Sequence, residues 1–222
     1  ELDRKDYQNV LDLRGEPSAF KDFDKYGNQK YTPLIDLGAW HGFMLPSKQE
    51  THGGFTGPYV IAQEYGLYLG RYLEKIELTD MVTGKYYDLK NAVKEVYSVP
   101  GALIQNYKFD DLDINLNLFY ISKRSSVIVT SIRNKSNLNR TFEVKWSGKL
   151  QSHWQPEKPL PKTFSYKVLA TEKAIRINFS DYAEQWHGFF NEQTSFVIKR
   201  SVTTDSNTFE SGYASKAQIN LA

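Results

Sequence analysis

The sequence predicts an all-β fold: an antiparallel β-sandwich, a large two-sheet supersandwich with at most short helices. Three observations predict it. The dominant hydrophobic periodicity is two, the pattern of strands with one buried face. Polar turn clusters recur between the apolar runs at the short spacing of sandwiches and barrels. No segment of a dozen residues sustains a helical period. With 15 Tyr, 13 Phe and 4 Trp in 222 residues, the chain has the aromatic content that disordered sequences lack. The expected architecture is ~10–15 strands in two stacked sheets.

Taken in order, residues 31–58 break the rhythm first. Gly38, Gly42, Gly53, Gly54 and Gly57, with Pro33, Pro46 and Pro58, surround Trp40-His41. A long structured loop region is expected there, of the kind that carries function on a rigid sheet. Gly38 and Gly42 flank Trp40-His41 as turn residues that project the indole and imidazole away from the sheet. Ile76–Leu78 and Tyr86-Tyr87, separated by Thr83-Gly84, have hairpin spacing. Leu89–Val96 places Ala92, Val93 and Val96 on one side of two helical turns. Asp110-Asp111-Leu112-Asp113 is half a calcium loop without its glycine or distal glutamate, and is expected as a hairpin tip of solvated acids. Ile114, Leu116, Leu118 and Tyr120 then share one strand face. Val127–Val129 and Phe196–Ile198 are continuous runs suited to strands buried on both faces. Asn134–Asn137 is a turn. Phe142, Val144 and Trp146 point inward, Glu143 and Lys145 outward, and Ser147-Gly148 is expected to end that strand in a turn. Residues 151–165, with three prolines beside His153-Trp154, read as a crossing between sheets. Ile175, Ile177 and Phe179 alternate with Arg176 and Asn178.

The same chain excludes several chemistries. A formal net charge of +2 supplies no electrostatic reason for a nucleic-acid or anionic-membrane partner. No run approaches the ~18 apolar residues of a membrane-spanning helix. The absence of cysteine removes disulfides, thiolate zinc sites and a cysteine nucleophile. The four histidines, His41, His52, His153 and His187, include no close-spaced pair for a metal, so no metal site is expected. Gly53-Gly54-Phe55-Thr56-Gly57 has neither phosphate-loop spacing, so no cofactor is expected. No G-x-S-x-G elbow occurs. Three histidines adjoin tryptophan. Trp-His beside glycine offers a ring for a sugar's C–H face, a polar neighbour for its hydroxyls, and close backbone approach. Asp36 and Glu64 bracket this glycine-rich region, but spacing alone does not bring them together.

One block goes further. Asp36-Leu37-Gly38-Ala39-Trp40-His41-Gly42-Phe43-Met44-Leu45-Pro46, then Gly53-Gly54-Phe55-Thr56-Gly57 and Glu64-Tyr65, resembles the amino-terminal domain of bacterial glucosidases of glycoside hydrolase family 63. Tyr97–Gln105, the opening Tyr7–Val10 and the closing Ala214–Ile219 are similar to it as well. The resemblance implies that residues 1–222 form one non-catalytic β-sandwich domain of a larger enzyme. It implies an (α/α)6 catalytic barrel elsewhere in the same parent, acting as an inverting, exo-acting α-glucosidase on α-glucosides. It also implies export, to the periplasm or beyond. The catalytic acid and base would lie in the barrel, so no catalytic residue is assigned here. Asp36, Trp40, His41 and Phe55 are the candidates for contact with the barrel or its substrate, within an apolar patch where the barrel docks. The alternative is a free-standing carbohydrate-binding module with Trp154, Trp186 or Trp40 as platform.

Overall fold

The computed structural model describes residues 4–15, 33–48, 51–62, 65–68, 70–150, 167–178 and 195–222. A short 3-10 turn, Arg4–Tyr7, precedes β1 (Arg14–Gly15), β2 (His41–Pro46), β3 (Thr56–Ala62), β4 (Tyr65–Tyr68), β5 (Gly70–Asp80) and β6 (Tyr86–Tyr87). There follow β7 (Val93–Val99), β8 (Ala102–Lys108), β9 (Leu112–Ser122), β10 (Ser125–Asn134) and β11 (Arg140–Leu150). The last strands are β12 (Lys167–Ala170), β13 (Ala174–Asn178), β14 (Ser195–Lys199), β15 (Asp205–Phe209) and β16 (Gly212–Leu221). The all-β sandwich expectation holds. Among the described residues the strands form four hydrogen-bonded sheets rather than two, in the orders β1-β2-β3-β4, β10-β9-β8-β7, β15-β16-β11-β5-β6 and β12-β13-β14. All pairings are antiparallel except that of β1 with β2.

The β7–β10 sheet and the five-stranded sheet share one core. Leu112, Ile114, Leu116, Leu118 and Tyr120 of β9 are buried, as their alternation predicts, and join Ile76, Leu78, Phe142, Val144 and Tyr213 from the facing sheet. Ile175 and Ile177 of β13 join the same cluster. The Thr83-Gly84 hairpin forms as predicted, with Gly84 at φ +70°. In β11, Phe142 and Val144 are buried and Trp146, on the same face, is half-buried. Glu143 and Lys145 lie on the other face, within ion-pair distance of Lys216 (3.8 Å) and Glu77 (2.9 Å).

Five expectations need correction. Leu89–Val96 is not helical. From Val93 the chain pairs residue for residue with β8 as far as Val99, opposite Ala102. Val93, Val96, Tyr97 and Val99 favour that pleated edge over two turns of helix. The runs at Val127 and Phe196 are not buried on both faces, because β10 and β14 are outermost in their sheets. Val129 and Val197 are exposed. Residues 31–58 are not all loop: β2 runs through them with all six residues buried. Asp111 is no solvated acid, since Arg140, Lys85 and Tyr87 all converge on it. Gly148 does not end its strand. β11 continues to Leu150, and an added Cβ at Gly148 would meet the Tyr213 ring at 2.3 Å, so the glycine marks close packing. Residues 151–165 with Trp154, and also Glu64, Phe179, Trp186 and His187, lie outside the described residues.

Candidate functional site

The Asp36–Trp40 segment is a tight turn. Asp36 Oδ1 accepts the Leu37 amide at 2.7 Å, and the Asp36 carbonyl accepts the Ala39 amide at 2.9 Å. Leu37 and Gly38 are both left-handed, at φ +51° and +68°. Glycine takes that conformation freely, whereas leucine is held there by its surroundings. Gly42 plays a different part from the one its spacing suggests. It lies inside β2, where an added Cβ would meet Pro33 and Ile35 below 3 Å.

The turn separates the two residues that the sequence joins. Trp40 is 63% exposed, and His41 only 8%. The imidazole packs edge-on against Phe43 and Phe196, with ring centroids 5.9 and 6.0 Å away, and lies 5.3 Å from Tyr120. Its Nε2 is 3.4 Å from Ser126 Oγ. Burial lowers its pKa below the ordinary 6.5. Beneath it the Tyr120 hydroxyl reaches the carbonyls of Leu34 (3.0 Å) and His41 (2.7 Å), and burial raises that phenol's pKa. His41 therefore joins β2 to the β9–β10 hairpin from inside.

Asp36 is half-buried against the β7–β8 turn, its Oδ2 3.3 Å from where a Cβ on Gly101 would sit. Asn9 and Leu11 hydrogen-bond Ser98, beside the same turn. Trp40, Leu37, Val10, Leu11 and Ile121 are all exposed, and these contacts place them around one end of the sandwich. Phe55 is elsewhere. It is fully buried and bridges to Leu73. The Gly53 amide beside it donates to Tyr107 Oη (2.8 Å) and Gln105 Oε1 (3.2 Å), and Gln105 Nε2 donates to the Gly54 carbonyl at 2.8 Å. The glycine-rich motif is thus a core anchor, and Phe55 does not join Asp36 and Trp40 at the surface.

A second constellation escapes sequence reasoning. A cavity of about 370 Å³ opens between β10 and the β11–β16 pair, with Phe196 and Ile198 of β14 on its wall. Glu74, Arg200 and Trp146 also line it. Arg200 Nη2 and Nε donate to the two oxygens of Glu74 at 2.5 and 3.1 Å. Tyr213 Oη donates to Glu74 Oε1 at 2.7 Å, and burial, then the Glu74 charge, raises the Tyr213 pKa. The guanidinium carbon lies 5.6 Å from the Trp146 ring centroid. Glu74 itself is left-handed at φ +53°, at the irregularity where β5 shifts register against β11. A non-glycine residue held there is the sort of outlier that functional sites contain. Nothing in the spacing of Glu74 and Arg200 announces their pairing. The faint signal is Gly148 directly after Trp146-Ser147, a gap that the Tyr213 ring fills.

Residues 12–222 match the family model described as the N-terminal domain of glucosidase YgjK. The chain belongs to that family. Within this YgjK N-terminal domain the match takes in the Asp36–Trp40 turn, the Gly53–Phe55 anchor and every residue named on the cavity wall. Val10 and Leu11 of the exposed end lie just before it.

Proposed function

We propose that this chain is the non-catalytic amino-terminal β-sandwich of an inverting, exo-acting α-glucosidase of glycoside hydrolase family 63. In this reading residues 1–222 are one domain. It packs on an (α/α)6 catalytic barrel of the same parent, with the Asp36–Trp40 turn at the rim of the active site. The observation that carries the reading is the indole of Trp40, exposed just after the left-handed Leu37-Gly38 turn, at the end of the sandwich where Leu37, Val10, Leu11 and Ile121 are also exposed. Exposed apolar side chains gathered at one end are what an interface within a chain, typically ~600–1,500 Å², would cover.

The chemistry of the parent reaction supports a division of labour. Inversion needs two carboxyl groups ~6.5–9.5 Å apart with a water between them. The well-buried carboxylates Glu74 and Asp80 are each clamped by an arginine. The family resemblance puts the acid and base in the barrel, and in this reading the domain supplies support and rim contacts to an α-glucoside substrate. A periplasmic or secreted location goes with the same reading.

In the full-length parent, Trp40→Ala should lower kcat/KM for an α-glucoside about tenfold, the equivalent of ~1.4 kcal/mol. The melting temperature should barely move, because exposed positions usually contribute within ~0.5 kcal/mol. A variant with full specific activity, or one that loses stability while keeping turnover, overturns the rim placement. The free-standing module reading also draws on the exposure of Trp40. It would be favoured if this chain alone bound α-glucan and Trp40→Ala abolished that binding.

A further inference from the structure

We propose that the cavity beside Glu74, Arg200 and Trp146 is a second carbohydrate site, one that takes a neutral pyranose unit of the glucose type. The argument starts from unspent donors. Arg200 has five N–H groups. Two engage Glu74 and a third donates from Nη1 to Ser215 Oγ at 3.1 Å. Among the described residues the other two meet no acceptor, although the side chain is only 5% exposed and lines the cavity. Buried donors normally find partners, and leaving them unpaired is costly. The wall therefore asks for oxygen.

Charge decides which oxygen. The bidentate Glu74 carboxylate cancels the guanidinium charge, so the pair offers direction without net positive charge, and Lys199, the other cation on the wall, is exposed to solvent. That arrangement suits a hydroxyl better than a phosphate or carboxylate. The remaining wall supplies what a sugar's C–H faces need: Trp146 and Phe196 as rings and Ile128 as an aliphatic neighbour, with Thr130 as a further polar residue on the wall. About 370 Å³ lies at the small end of ligand pockets, ~300–1,000 Å³, which fits one or two sugar rings. The register irregularity and the left-handed Glu74 hold the carboxylate under Arg200, so the donors are oriented before any ligand arrives. The choice of glucose rests on the glucosidase reading above; the preference for a neutral polyhydroxylated ring does not.

The test is a two-dimensional NMR titration of this chain with glucose, methyl α-glucoside and galactose, and with phosphate and acetate as anionic controls. Turnover of an α-glucoside by the full-length parent is measured in parallel. Saturable shifts of the Trp146 indole and Arg200 Nε–H signals with the sugars, and none with the anions, are expected. Arg200→Lys should weaken binding about tenfold by losing the fork. Ile132→Trp, which fills the cavity from the edge strand and leaves the Glu74–Arg200 pair intact, should abolish it. Sugar shifts confined to Trp40, shifts with anions alone, or binding unchanged in Ile132→Trp would each overturn the site. Binding here in a parent that does not hydrolyse α-glucosides would uphold the site and sink the glucosidase reading.

Discussion

At the scale of single residues, the strongest electrostatic commitment is Asp80 at the end of β5. Its Oδ1 accepts the amides of Val82 (2.8 Å) and Thr83 (2.9 Å), which shapes the hairpin turn. Its Oδ2 receives Arg140 Nε at 2.8 Å and Nη2 at 2.6 Å. The Thr83 amide first, then Arg140 and the Val82 amide, hold the carboxyl pKa at about 2 against the opposing effect of burial, down from 3.8. A depressed acid pKa stabilises the fold above its unfolded value and is lost as pH falls through the folded one. On that basis Asp80 contributes on the order of 2 kcal/mol at neutral pH. Asp80→Asn should be clearly less stable than wild type at pH 7, and the gap should close between about pH 4 and 2. A gap that stays constant across that range contradicts the account. His41 and His52 act in the same direction at milder acidity. Burial lowers the pKa of both, and the Lys94 charge lowers that of His52 further. The unfolded chain then takes up protons first as pH falls below 6.5, and stability drops. His41→Gln should flatten that part of the urea-midpoint profile, and an unchanged slope would show that His41 does not carry it. Little of this was legible beforehand. Asp80 sits in an unremarkable Thr-Asp-Met, and its value arises from the Thr83 and Val82 amides of the turn it closes, together with Arg140, dozens of residues away. Trp40 and His41 did stand out, but a turn that sends one out and the other in is set by the φ angles of Leu37 and Gly38.

Among the elements, β11 shows how far alternation can be trusted. Phe142 and Val144 are closed in by the facing sheet, while Trp146 stands where the sandwich parts to form the cavity. Phe142→Ala should therefore cost ~3–5 kcal/mol and Trp146→Ala closer to ~2. Equal losses in denaturant melts would mean that the two indistinguishable sequence positions are equally packed after all. The rest of the strand depends on Gly148. Tyr213 is fully buried and its hydroxyl is tied to Glu74, so the ring cannot swing away from an added methyl group. Gly148→Ala should cost ~1–3 kcal/mol through overpacking, read as a lowered midpoint with an unchanged m-value. A neutral substitution would show that the Tyr213 ring yields. Period-two patterns located β9, β11 and β13 because each has one buried face, and hairpin spacing located β5 with β6. Continuous apolar runs marked β10 and β14 as strands but not as sheet edges, and at β7 a local apolar cluster imitated a helix; an edge position is not a property of the strand's own sequence.

For the whole molecule, the described residues have two unlike ends. Around Asp111 lie Lys85, Arg140 and the Tyr87 hydroxyl, knitting three turns together by charge. At the opposite end of β8 and β9 stand Trp40, Leu37 and Ile121, apolar and exposed. Amide hydrogen exchange should be slowest in β8, β9 and the β5–β11 pairing, which combine neighbours on both sides with a buried face. It should be faster in β12 and β15, whose positions are mostly exposed. Adding the catalytic region of the parent should slow exchange at the apolar end and leave the charged end unchanged; slowing at the charged end instead would reverse the proposed orientation. Fold class was legible because it sums many weak strand signals. Sheet number was not, since it depends on which edges meet.

The pairing order of the five-stranded sheet also constrains when it can form. β11 lies between β5, far upstream, and β16, at the far end of these residues. A ribosome emitting this chain delivers β5 and β6 long before β11, and β11 long before its other neighbour. Among the described residues the β7–β10 meander, by contrast, pairs only with strands adjacent in sequence. Local pairings close quickly and distant ones slowly. The meander is therefore the natural early unit, and it waits, with one apolar face uncovered, for a partner sheet completed only when residues 212–221 emerge.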